Sequence, residues 1–219
     1  MHFEMLVEDL SGKKALEILV PKIIGAEHTF KVTAFKGIGH IPKNMITAKA
    51  VRTQSLLNNV PRLLRAYGKT FRGYGDYPAA VILICDLDDK CRKTFRKELI
   101  EILEQCDPRP ETRFCFAIEE GEAWFLGDLN AVRAAYPHAK DNVVNNYVND
   151  SICGTWELLA DAIYPGGSKA LLVKGGPAIG TEKSKWSTNI SPHMTIDHNA
   201  SPSFRYFRDK MKQLTGDPE

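Results

Sequence analysis

The stretch Val81-Ile82-Leu83-Ile84-Cys85-Asp86-Leu87-Asp88-Asp89 decides the fold of this chain. Five consecutive apolar residues, mostly β-branched and preceded by Tyr77-Pro78, read as a strand buried on both faces. Such strands belong to parallel sheets, and ligands of open α/β sheets bind outside the carboxyl ends of the strands. Asp86 and Asp88 stand where this strand stops. Alternate residues of an extended chain point the same way, so the spacing predicts two carboxylates converging at the rim of the sheet. Like charges that close are costly unless a cation neutralises them or one takes up a proton. Hard oxygen ligands of this kind suit Mg²⁺ or Mn²⁺. An equally weighted alternative makes one Asp the cap of the following helix and leaves the other solvated.

A second acid favours the metal reading. His2 to Glu8 reads as a short strand ending at Glu8. A helix follows, with Ser11 as its expected N-cap and Leu16, Leu19, Val20 and Ile23 at helical spacing. If the two strands are neighbours, Glu8 reaches the same edge as Asp86 and Asp88. An acid closing the first strand and Asp-x-Asp closing a later one resemble the Toprim domain shared by topoisomerases, primases and OLD-type nucleases. That family's first motif is usually Glu-Gly followed by Ser or Thr and another acid. Here Val7-Glu8-Asp9-Leu10-Ser11-Gly12 keeps the Glu and the Ser, with Asp9 in place of the glycine and Gly12 where the second acid often lies.

A narrower resemblance covers nearly the whole chain. The block Ala117-Ile118-Glu119-Glu120-Gly121-Glu122-Ala123-Trp124-Phe125-Leu126-Gly127-Asp128 resembles the Glu-Ala-Trp-Leu-Leu-x-Asp signature of a Toprim-like family catalogued as domain of unknown function 4276. The tail Ser201-Pro202-Ser203-Phe204-Arg205-Tyr206-Phe207 is similar to that family's as well. The resemblance implies a Toprim-nuclease layout and a neighbourhood of ATPase genes in bacterial phage-defence islands. It implies a class of site and no settled reaction.

Composition fits an α/β core with an appendage. Net charge is only +2, so any affinity for nucleic acid would need a local patch. The odd count of five cysteines, without C-x-x-C spacing, points to a reduced, cytoplasmic setting. No apolar run reaches membrane-spanning length, so no membrane partner is expected. The segment His28 to Phe35 reads as a second strand, and Arg113 to Ile118 as a fourth. Helices are expected from about Lys49 to Tyr67, broken or kinked near Pro61, and from about Asp89 to Cys106. The fold class is therefore a mainly parallel, four-stranded α/β sheet with helices on both faces. Residues 1–127 form this core. Residues 128–219 read as a helical and loop-rich elaboration packed on it, with 175–201 as a polar loop.

Chemistry follows from the acids. Two cations bridged by carboxylates can activate water and stabilise the leaving oxygen of a phosphodiester. Glu8, Asp86 and Asp88 are the candidate catalytic residues and metal ligands. Glu122, after the fourth strand, is a further candidate ligand, with an equally weighted role as acceptor for a backbone donor at the turn. Asp89 is a secondary candidate. A lysine is often needed against developing phosphorane charge, and Lys169, Lys174 and Lys185 offer themselves without a basis for choice. Arg92, Lys93, Arg96 and Lys97 form the candidate nucleic-acid patch, although a solvated helix face is the commoner meaning of such a run. The expected function is Mg²⁺- or Mn²⁺-dependent cleavage of nucleic acid, in a defence system with a partner ATPase. The rival is a non-catalytic metal- or partner-binding module of an ATPase-containing complex.

Overall fold

The Val81 run is the third of four strands: β1 (His2–Val7), β2 (Thr29–Ala34), β3 (Ala79–Asp86) and β4 (Thr112–Ala117). The computed structural model describes residues 1–42, 54–88, 90–118, 120–151 and 154–216. All strand pairs are parallel and the order is β2-β1-β3-β4, so β3 is central, as its two-sided hydrophobicity predicts. Val7 lies opposite Ile84, and Asp86 opposite Ala117. This register brings Glu8 and Asp86 to the same carboxyl edge.

Alternation along the strands builds two cores. Met5, Val7, Ile82, Ile84 and Cys115 face one side, where they meet α1 (Leu10–Ile24) and the C-terminal helices. Leu6, Val81, Leu83, Cys85, Phe114 and Phe116 face the other, under α2 (Leu56–Arg72) and α3 (Arg92–Glu104). The four described cysteines are free thiols, with Cys85 and Cys115 buried in their strands. Cys153 lies outside the described residues. No helix among the described residues is long and apolar enough to cross a membrane.

The C-terminal half is a run of helices: α4 (Glu122–Leu126), α5 (Leu129–Ala135), α6 (Asp141–Val144), α7 (Thr155–Ile163), α8 (Gly167–Val173), α9 (Gly176–Ile190) and α10 (Pro202–Thr215). Their apolar residues join the sheet's first face in one continuous core. Trp124 anchors it. Its ring stacks on Phe207 at 5.1 Å and meets Phe204 edge-on at 5.5 Å, and its indole N–H donates to Ser203 Oγ at 3.0 Å.

Four local expectations need correction. Asp9, not Ser11, caps α1: its Oδ1 accepts from Gly12 N at 2.7 Å, while Ser11 Oγ donates to Oδ2 at 2.7 Å. An Asp at the cap also places negative charge where the helix dipole favours it. Of the break or kink expected at Pro61, the break does not occur. Pro61 lies in the second turn of α2, which runs on to Arg72, and buried Leu57, Val60 and Leu64 hold that turn against the sheet. The expected start at Lys49 falls outside the described residues. The helix after β3 begins at Arg92 rather than near Asp89. Residues 176–190, expected as loop, form α9. Its inward face is buried Trp186, Ser187 and Ile190 with half-buried Lys183, a helical stripe in which two of four residues are polar.

Candidate active site

Where β1 and β3 end, the chain closes a small cavity of about 40 Å³. Its walls include Glu8, Asp9, Gly12, Asp86, Glu122 and Lys183. That space admits a few water-sized particles and no nucleotide. Gly12 belongs there for a steric reason. A Cβ at this position would stand 2.6 Å from Val7 Cγ2, so only glycine lets α1 approach β1 this closely.

Lys183, projecting from α9, is the cation of the site. Its Nζ lies 3.2 Å from Glu120 Oε1 and 3.1 Å from Glu122 Oε2. Burial alone would lower its pKa, but Glu122, Glu120 and Asp86 together raise it, so the ammonium is fixed as a charge. Glu120 is also structural. Its Oε2 accepts from Thr155 Oγ1 at 3.4 Å and Trp156 N at 3.3 Å, at the otherwise uncapped start of α7. One carboxylate thereby ties the C-terminal helices to the lysine.

The acids remain under-compensated. Glu8 is pushed up to about 7, first by burial and then by the charges of Asp88 and Asp9. Its Oε2 is buried without a hydrogen-bond partner. Asp86 is raised well above the ordinary carboxylate range by burial and by Glu8, against the pull of Lys183. Glu122 is also pushed up to about 7, chiefly by burial. Its Oε2 pairs with Lys183 by charge but lies outside hydrogen-bond geometry.

Asp88 takes a different place. The strand ends at Asp86, and Asp88 adopts a left-handed backbone with φ of 47°, which Asp tolerates better than most residues. The alternation that would aim it beside Asp86 is thus interrupted. Its exposed carboxylate pairs with Lys90 at 2.7 Å, and it does not line the cavity, although its charge still acts on Glu8. Asp89 lies outside the described residues. Lys185 is exposed and pairs with Glu182 at 2.6 Å, away from the acids. Lys174 donates to Tyr164 Oη at 2.6 Å. The lysine of the site is Lys183, which sequence reasoning missed. The available signal was the stripe it shares with Trp186, Ser187 and Ile190.

Among the described residues, no three carboxylate, histidine or cysteine side chains stand grouped for one ion. Glu8 and Asp86 both line the cavity and act on one another by charge, so they are the two acids that could hold Mg²⁺, which commonly takes one or two carboxylates and fills its remaining positions with water and phosphate oxygens. The orphaned Glu8 Oε2 is the observation that supports this fit.

The electrostatics predict a sign. Between about pH 4.5 and 7, folded Glu8 holds a proton that the unfolded chain has lost. Its contribution therefore lowers stability as pH rises through that window. Glu8→Gln removes the effect. In metal-free buffer near pH 8 the variant should exceed the parent by about 1–3 kcal/mol in urea denaturation, with the gain vanishing near pH 4. Equal stability near pH 8 would mean that Glu8 carries no such burden.

The candidate nucleic-acid patch divides. Arg92, Lys93 and Arg96 line a groove on the far side of the β3–β4 edge. Lys97 does not line it; its Nζ lies 3.8 Å from exposed Glu101, one turn along α3. Comparison of the chain with protein-family models, curated proteins and solved structures finds no match, so the meaning of the site rests on its own geometry.

Proposed function

We propose that the protein is a Toprim-type nuclease that cleaves nucleic-acid phosphodiesters with Mg²⁺ or Mn²⁺, in the cytoplasm and alongside a partner ATPase of a phage-defence system. The observation that carries this reading is a half-buried, repelling pair of carboxylates, Glu8 and Asp86, at the carboxyl end of the central strands with Lys183 beside them. Glu8 and Asp86 would hold the ion. Once bound, such an ion supplies polarisation of the phosphoryl oxygen and a more acidic water. Lys183, held by Glu120 and Glu122, presents fixed positive charge toward the charge that develops on phosphorus oxygens. The first turn of α1, whose Ser11 and Gly12 line the cavity, adds the positive end of a helix dipole. Because the cavity is so small, substrate meets the acids at its mouth while its bases stay outside.

A second reading has its own support. Lys183 already neutralises part of the acidic cluster, and no three acids are grouped around one point. A metal- or partner-binding module that leaves the chemistry to an ATPase complex would look the same. Purified protein incubated with labelled single- and double-stranded DNA and RNA separates the two. Cleavage with Mg²⁺ or Mn²⁺ that stops with chelator supports the nuclease. Absence of cleavage with every metal, with and without the ATPase, supports the module.

A further inference from the structure

The groove beside the acidic cleft has the chemistry of a single-strand binding site. It encloses about 760 Å³ between α3, the end of β4 and α10. Drug-sized ligands occupy pockets of roughly 300–1,000 Å³, so one or two nucleotides fit. Its floor is apolar, made by Leu87, Phe116 and Ile118. Its rim is cationic. Arg92 and Lys93 make no ion pair among the described residues. Arg96 donates to Tyr206 Oη at 2.7 Å and lies 5.8 Å from the centre of that ring, with Lys210 at 5.5 Å from the same ring.

Two further observations point to a missing anionic, hydrogen-bonding ligand, and a third removes an obstacle to it. The first turn of α3 has no acid, but Arg92 and Lys93 instead. Cations at a helix N-terminus oppose the dipole, and a bound phosphate would reverse that penalty. Asp150, the acid of the groove, is already engaged: its Oδ1 accepts from Ser201 Oγ and its Oδ2 from Ser203 N. Neighbouring Asn149, which also lines the groove, has a buried Oδ1 without a partner.

Position links the groove to the proposed chemistry. Asp86 and Ala117 line the acidic cavity, and the residues that follow them, Leu87 and Ile118, line the groove. We propose that this groove binds single-stranded nucleic acid, with phosphates on Arg92 and Lys93 and a base against the Arg96–Tyr206 platform, and leads the strand to the acidic cleft. The proposal deepens the nuclease reading and rests on it only for the fate of the bound strand. Unpaired bases are required because a platform of this kind stacks the π-face of a base that a duplex keeps covered.

The test is fluorescence anisotropy with a short labelled oligo(dT) and the matching duplex, in chelator so that cleavage cannot intervene. The single strand should bind more tightly than the duplex. Tyr206→Ala should weaken single-strand binding about 5- to 100-fold, and Tyr206→Phe, which keeps the ring, should retain most of it. Arg92→Ala with Lys93→Ala should reduce the slope of log affinity against log salt by about 1.4, the share of two phosphate contacts on a single strand. Thermal melts confirm that each variant is folded. Equal affinity for duplex and single strand, or indifference to Tyr206→Ala in a folded variant, would overturn the proposal. So would absence of oligonucleotide binding, which would leave the groove to an acidic protein segment. Binding as described without cleavage under any metal would sink the nuclease reading and leave this one standing.

Discussion

Lys183→Met should destabilise the protein by about 3–5 kcal/mol at neutral pH, the usual cost of leaving buried charge without its partner. Methionine preserves the length and packing of the lysine stem, so the loss reports the ammonium. Glu122 is 2% exposed, and Glu120 holds the start of α7 through the same carboxylate that holds Lys183. The pH dependence separates charge from packing. In the parent, the raised pKa of Lys183 means that the ammonium itself is lost only in strong alkali, so any change between pH 8 and pH 5 comes from its carboxylate partners. In the variant, the carboxyls that lose their cation rise further and take up protons more readily. The deficit should therefore be largest near pH 8 and shrink toward pH 5, as read by urea denaturation at both. An equal deficit at the two pH values would assign the lysine a packing role.

How the site could be read from sequence depends on which residues carried a periodic signal. The β3 run was legible because a central parallel strand is apolar on both faces, and that single inference placed the sheet, its direction and the edge where Asp86 stands. Glu8 followed from the same logic one strand away. Asp88 was misjudged because alternation holds only while the chain stays extended, and a left-handed residue directly after a strand leaves no mark in the alternation. Lys183 was missed for a different reason. Hydropathy recognises a buried helical face when its residues are apolar, but α9 presents Ser187 to the core alongside Trp186 and Ile190, with half-buried Lys183 one turn before them. A half-buried lysine looks exposed until the acids that need it are known. The acids come from β4's exit and the lysine from a helix some sixty residues later, so only the fold could pair them.

Asp86→Asn should remove metal-dependent cleavage by about 10²-fold or more while leaving the fold intact, and the reason lies in its position rather than its charge alone. Asp86 closes the central strand, faces the side where α1 and α9 pack, and feels Glu8, Lys183, Glu122 and Glu120 together. Asparagine keeps the shape and relieves the repulsion, so metal-free stability should not fall. On the proposed reading it loses one of two anionic ligands, and a hard divalent ion held by two carboxylates should bind much more weakly to one. Calorimetry with Mg²⁺ and Mn²⁺ reads that loss without reference to activity. Asp88→Asn is the informative companion. Its carboxylate is exposed and spent on Lys90, so metal affinity and cleavage should change only slightly, through the weaker charge acting on Glu8. If Asp88→Asn abolishes metal binding and Asp86→Asn does not, the ion belongs on the exposed turn after β3 and the pair of Glu8 and Asp86 is structural. If neither changes it, the cleft holds no ion, and the acids and Lys183 form a closed internal network that steadies the C-terminal helices.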